Sequence, residues 1–210
     1  MLDLAEIRNA VIKGARNEVK DLVEKAVAEG GDVSEILKEG LTAAMDIVGD
    51  KFEKGEYYLP EMIMSAVAMK EGVKILRPLL VKDKDKRAFR VVVLGTVKGD
   101  IHDIGKTIVG AMLEGAGFSV IDLGADVETD RFIEAIRQNN AELIGLSALL
   151  TTTMVGMKDV IEAVKEAGLK VKIMVGGAPV SQEFADKIGA DGYAPDAPSA
   201  ARKARELVSG

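Results

Sequence analysis

The stretch RVVVLGTVKGDIHDIGKT, residues 90–107, sets an apolar run against a glycine-bounded loop that holds His102, the one histidine in a chain of 210 residues. RVVVLG (90–95) is short, rich in β-branched residues and apolar on both faces, as a strand buried inside a sheet must be. GDIHDIGKT (99–107) begins four residues after that run and leads into a helical segment at 104–116.

Outward from this unit the same grammar repeats. FSVIDLG (118–124), ELIGLS (142–147), VKIMVGG (171–177) and a weaker DGYA (191–194) are further strand candidates, with helical segments at 129–139, 154–167, 181–188 and 196–208. Strand then helix, five times over, predicts an α/β domain at 89–210: a doubly wound, five-stranded parallel sheet of the flavodoxin or Rossmann type. Ligands in such sheets gather at the carboxyl ends of the strands, near the switch in strand order. The loop that carries His102 lies there.

Residues 1–80 follow a different pattern. Apolar residues recur at helical spacing, as in Val33, Ile36, Leu37, Leu41, Ala44, Met45 and Val48 or in Leu59, Met62, Ile63, Ala66, Met69, Val73 and Leu76. Four helices are predicted, at 3–14, 16–29, 33–53 and 59–79, with Asp32 as an N-cap and Pro60 in a first turn. Short connections between amphipathic helices predict a four-helix bundle. The charge run VKDKDKR begins a solvated linker at 81–88 between the two domains.

Composition narrows the function. A net charge of −6 and an acidic pI argue against the basic surface that nucleic acid requires. No apolar run reaches the roughly 20 residues of a membrane span, and the N-terminus reads as an amphipathic helix with acids, so the protein is expected in the cytoplasm without a membrane partner. The absence of cysteine removes thiolate metal sites, disulfides and cysteine nucleophiles.

GDIHDIGKT invites comparison with a phosphate-binding loop, and fails it. Gly99 and Gly105 are separated by five residues, where a P-loop has four, and Asp100 and Asp103 would repel the anion that the loop's N–H groups should cradle. Read around the histidine, the loop makes better sense. A carboxylate at Asp100 that hydrogen-bonds one imidazole nitrogen of His102 fixes the tautomer and leaves the other nitrogen for a metal. One such pair cannot hold a bare ion, but it can give one axial ligand to a metal already held by a macrocycle. Two further clusters share its end of the sheet: Ser147-Ala-Leu149, with 41 residues between it and Gly105, and Gly176-Gly177, with another 26 residues between.

The pattern D-x-H-x-x-G, then S-x-L, then G-G resembles the cobalamin-binding motif of corrinoid-dependent methyltransferases and mutases. The resemblance covers the first half too: MDIVGDKFEKGEYYLPEMIMSAVAMKEGVKIL (45–76) is similar to the helical cap that precedes the cobalamin domain of methionine synthase. With both modules and little else, the chain resembles the small corrinoid proteins of anaerobic methyl-transfer systems.

That resemblance implies a cobamide, a cobalt corrinoid, bound with its own lower base detached and His102 as the lower axial metal ligand. It implies Asp100 as the partner of His102, and Thr153, six residues past Ser147, as the hydroxyl that completes the relay. Asp103, Ile104, Gly105, Ser147, Leu149, Thr151, Gly176 and Gly177 are implied around the cofactor and its displaced nucleotide tail. Phe52, Leu59 and Met62 match cap residues over its upper face.

The implied function is that of a methyl carrier. Co(I) accepts a methyl group from a substrate-specific methyltransferase, with a methylamine or a methoxylated aromatic as donor, and an acceptor methyltransferase passes it to tetrahydrofolate, tetrahydromethanopterin or coenzyme M. A reductive activator would restore Co(II) to use, and the chain alone would not be a complete catalyst. The competing reading is the small cobalamin-binding subunit of a carbon-skeleton mutase, which the helical half disfavours.

Overall fold

A computed structural model describes residues 3–80 and 90–209. The linker expected at 81–88 lies outside the described residues. Two compact units emerge, a helical one that also takes in Glu114–Gly117, and an α/β one made of Arg90–Leu113 and Phe118–Gly210.

The helical unit begins with α1 (Leu4–Ile12) and α2 (Arg16–Ala28). Asp3 caps α1 by accepting from the Ala5 N–H at 2.9 Å, and Asp32 caps α3 (Val33–Glu35) by accepting from the Glu35 N–H at 2.7 Å. From α3 the chain runs through a π-helical stretch, Ile36–Thr42, into α4 (Ala43–Glu53), and α5 (Leu59–Leu80) completes the unit. The helix expected over 33–53 therefore has the right extent but a wider middle. Apolar spacing does not distinguish the two windings over a single turn, and Gly40 in that stretch faces Ile7, where a Cβ would stand 3.2 Å from Cγ2.

One core of Ile7, Val11, Val19, Val23, Leu41, Val48, Met62 and Met69 fills the unit. Each buried aliphatic side chain contributes about 1.5–3 kcal/mol relative to exposure, so the stripes read from the sequence carry most of its stability. Gly14 makes the α1–α2 turn with φ +69°, and a Cβ there would lie 2.8 Å from Met64 Cβ in α5. No other residue type fits both demands.

In the α/β unit, β1 (Val91–Thr96), β2 (Ser119–Asp122), β3 (Leu143–Ser147), β4 (Lys172–Gly176) and β5 (Gly192–Ala194) form one parallel sheet in the order β2-β1-β3-β4-β5. The helices are α6 (Ile104–Gly115), α7 (Thr129–Asn139), α8 (Gly156–Glu166), α9 (Gln182–Ile188) and α10 (Ala197–Ser209). Val93, Ile144 and Ile173 enter a core with Phe132, Met157 and Ile161 of α7 and α8. Leu94 faces the other way, toward Gly110 of α6. Both faces are thus covered, as the apolar strands demand.

β2 is shorter than the expected 118–124 because Gly124, with φ +85°, turns the chain out of the strand. Strand order reverses between β1 and β3, whose register pairs Thr96 with Ser147. This switch point is the natural cleft of the fold.

Candidate functional site

The β1–α6 loop crosses the switch point, and Asp100 is its anchor. The side chain of Asp100 is completely buried and accepts four hydrogen bonds. Oδ1 receives the His102 N–H at 3.0 Å and His102 Nδ1 at 2.7 Å; Oδ2 receives the Leu149 N–H at 2.7 Å and the Thr153 hydroxyl at 2.6 Å. Burial pushes the Asp100 carboxyl up, but the bonds from Thr153, Leu149 and His102 outweigh it and hold the group well below the usual carboxylate range. Asp100 is therefore ionised and can only accept, so His102 Nδ1 carries the proton of their bond. In the neutral imidazole, Nε2 is left with its lone pair, on a side chain 47% exposed.

The three clusters expected to converge do so. Leu149 and Thr153 reach Asp100 from the β3–α8 connection, and the Thr96 hydroxyl, fully buried, donates to the His102 carbonyl at 2.9 Å. The Val97 N–H donates to the Ser147 carbonyl at 3.0 Å, and the Ala148 N–H to the Gly176 carbonyl at 3.3 Å. Gly177 has φ +130°, and a Cβ on it would fall 1.8 Å from the Ala148 carbonyl oxygen. Only glycine allows the ends of β3 and β4 to approach this closely.

Asp103, Ile104, Gly105 and Thr151 lie on the exposed rim of this cleft, and Ser147 is half-buried at the end of β3. Phe52 and Leu59 are partly buried within the helical unit, and Met62 is fully committed to its core.

Sequence spacing does not mark Lys106, in the first turn of α6, whose side chain is 1% exposed and ion-paired with Asp122, the Oδ2 contact being 2.6 Å. The first turn of α6 faces the carboxyl end of β2, and the strand supplies the countercharge. Thr96 and Asp126 were also missed. A threonine ending a strand looks like ordinary β-propensity, and no local pattern marks Asp126, which accepts from the Gly99 N–H at 2.7 Å.

The donor set suits a metal held by a macrocycle. Among the described residues no group of three or more metal-binding side chains exists, so a bare ion finds no cage. One imidazole nitrogen with a fixed tautomer is offered instead. Beside it, Ile101, Ile104, Leu149, Leu150 and Val155 leave apolar side chains 43–77% exposed, an unusual cost for a small domain and a fitting floor for a broad ligand. A Cβ at Gly105 would meet nothing within 4 Å, so the entrance is open.

Comparison with known proteins agrees. A B12 binding domain matches residues 90–202, and a second B12 binding domain matches residues 4–77. Dimethylamine corrinoid protein 1 of Methanosarcina acetivorans is 50% identical over 98% of this chain and 97% of its own. Among solved structures, a cobalamin-binding protein from Desulfitobacterium hafniense DCB-2 superposes with a TM-score of 0.82 at 30% identity, covering 99% of this chain and 100% of that one. The methanol:cobalamin methyltransferase complex MtaBC from Methanosarcina barkeri has a chain that matches with a TM-score of 0.84 at 30% identity, covering 99% of this chain and 80% of that one.

Fold, site and these likenesses define a cobalamin-binding protein, with a cobamide as its cofactor. Within that class the chain belongs to the family of corrinoid proteins of anaerobic methyltransferase systems. No described helix is long and apolar enough to cross a membrane.

Proposed function

We propose that this protein is a methyl carrier for a methylamine, dimethylamine in particular, and that His102 Nε2 is the lower ligand of its cobalt. When bound, the cobamide supplies a cobalt centre that accepts a methyl group and later gives it up. The observation that carries the reading is the Asp100–His102 pair: a buried, ionised carboxylate holds Nδ1–H at 2.7 Å and leaves Nε2 free at the open end of the sheet.

The residues divide the work as follows. Asp100 orients the imidazole by holding Nδ1–H, so that Nε2 is the nitrogen left to bind a metal. Thr153 shares Asp100 at 2.6 Å and can follow its charge by rotating one hydroxyl. With a cobamide bound, His102 would hold the cobalt through Nε2, and the His–Asp–Thr group would hold the proton that balances a change in that ligation. Gly176 and Gly177 let the ends of β3, β4 and β5 close together beside the path of the displaced nucleotide tail, which Gly105 and Ser147 line.

The choice of donor rests on the relatives named dimethylamine corrinoid proteins, several of which are near half identical along the whole chain. The partners on this reading are a methyltransferase specific for the amine, a second methyltransferase that takes the methyl group to tetrahydrofolate, tetrahydromethanopterin or coenzyme M, and a reductive activator. On this reading the helical module serves to shield the methyl group between partners, with Phe52 and Leu59 the side chains left for that role, since Met62 lies in the core of its own unit.

The test is reconstitution with a cobamide, chemical reduction, and exposure to dimethylamine with a dimethylamine methyltransferase. Absorption changes of cobalt methylation are expected with dimethylamine and not with methanol. Methylation by methanol and a methanol methyltransferase, or none with any amine, would overturn the choice of donor.

A further inference from the structure

We propose that the turn between β2 and α7, residues 122–127, is a brace that positions the cobalt-ligand loop, with Asp126 and Asp122 gripping that loop at its two ends. The two grips are on opposite sides of His102. At the near end, the Asp126 N–H donates to the Asp100 carbonyl at 2.9 Å, and Asp126 Oδ1 accepts from the Gly99 N–H at 2.7 Å. At the far end, Asp122 holds the buried ammonium of Lys106, one residue beyond Gly105. Between them the turn is stitched to β1: the Thr96 N–H donates to the Gly124 carbonyl, and the Val127 N–H to the Thr96 carbonyl, each at 3.0 Å.

The backbone of Asp126 marks the turn as more than a connection. Among the described residues two non-glycines have a left-handed backbone, Asp126 at φ +53° and Asn140 at φ +49°. Asn140 ends α7 as a helix cap, where that conformation is ordinary. Asp126 caps no helix. Its conformation is one that residues with a Cβ adopt at a cost, and it is what lets one residue bond Gly99 and Asp100 together. Such strain persists where the surroundings over-determine it.

The consequence for the site is geometric. The carboxylate of Asp100 is satisfied from the His102 and β3 side, but four bonds to a side chain do not fix where its main chain runs. Asp126 fixes it, through the Asp100 carbonyl. Lys106 fixes the first turn of α6, and with it the end of the loop that leaves His102. Asp126, Asp122 and Lys106 are thus positioning residues: their bonds reach the loop and the first turn of α6, not the imidazole of His102.

The assignment of His102 to cobalt is the one part of this inference that rests on the proposed function, so the experiment has an arm free of cofactor. In the cofactor-free protein, amide hydrogen exchange at His102 and Leu149, the two N–H donors to Asp100, is compared in wild type, Asp126→Ala, Asp126→Asn and Lys106→Met. Asp126→Ala loses both the acceptor and the tolerance of positive φ, and exchange at both amides is expected to rise about tenfold. Asp126→Asn keeps both properties and should stay within about twofold of wild type. Lys106→Met releases the far end alone and should give about threefold at His102.

In the second arm, a cobamide is added and the His-ligated fraction is read from its absorption. That fraction should fall several-fold in Asp126→Ala and recover in Asp126→Asn. Unchanged exchange in Asp126→Ala overturns the brace, as does faster exchange spread evenly through β1 and β3. Faster local exchange with an undiminished His-ligated fraction overturns the positioning role. If wild type itself shows no His ligation, the proposed function fails, and the brace stands or falls on the exchange arm together with the 15N imidazole tautomer of this single histidine.

Discussion

The helical unit and the α/β unit treat buried polarity in opposite ways. Four described polar or charged residues are buried: Ser65 in α5, and Thr96, Asp100 and Lys106 in the α/β unit. Ser65 is a core residue whose hydroxyl needs an acceptor and finds one in the Ile12 carbonyl at 3.0 Å. Thr96 and Asp100 fall within one strand end and the loop that follows, and their bonds lead to His102 and its neighbours, while Lys106, in the first turn of α6, is ion-paired with Asp122. A lone satisfied hydroxyl is structural housekeeping. Two buried groups that converge on one histidine, one of them an ionised carboxylate, are an orienting device.

The largest break in this contrast should come from Asp100→Ala. It strands the His102 and Leu149 N–H groups and frees the imidazole, and a loss of about 3 kcal/mol in unfolding free energy is expected by urea denaturation, together with loss of the His-ligated cobamide spectrum. A destabilisation below about 1 kcal/mol would place Asp100 on a level with Ser65.

Acid should expose the same device. Because the folded carboxyl of Asp100 titrates well below its unfolded value of 3.8, it adds stability above that value and loses it as pH falls. Stability of the wild type should therefore drop more steeply below about pH 4 than that of Asp100→Asn, with the two curves converging toward pH 2 in denaturation series. Parallel curves would contradict the assigned protonation state.

Smaller effects sharpen the comparison. Thr153→Val removes one charge-assisted bond to Asp100 and should cost about 1.5–2 kcal/mol and raise the proportion of cofactor without a nitrogen ligand, whereas Thr153→Ser should stay within about 0.5 kcal/mol. Ser65→Ala should cost about 1 kcal/mol and leave cobamide affinity, measured by titration, where it was. A loss of cobamide affinity in Ser65→Ala would erase the distinction between the units.

Most of the architecture was legible in the sequence. The change from helical spacing to alternating strand and helix marks the change of unit, and the apolar strands announce a sheet covered on both faces. Asp100, His102 and Leu149 were legible by spacing, because loops at strand ends of a parallel sheet must meet at the switch point, whereas Thr153 came only from the resemblance to methionine synthase. Lys106 was not legible. A lysine in a first helical turn is solvated in most proteins, and its burial depends on Asp122 arriving from another strand. Asp126 was hidden for a related reason, since nothing within two residues of it signals a left-handed backbone. The π-helical turn at 36–42 escaped because apolar spacing tolerates one residue of slack.

The central claim, that His102 Nε2 is the lower ligand of cobalt, can be tested on a label that this sequence makes unambiguous. The protein is grown with 15N-histidine, loaded with a cobamide in the Co(II) state, and its electron paramagnetic resonance spectrum recorded. A single axial nitrogen from His102 predicts that each cobalt line, a triplet with 14N, becomes a doublet with 15N. A triplet that survives the label would mean that the cofactor's own base remains on the metal, and His102 would have no part in its ligation.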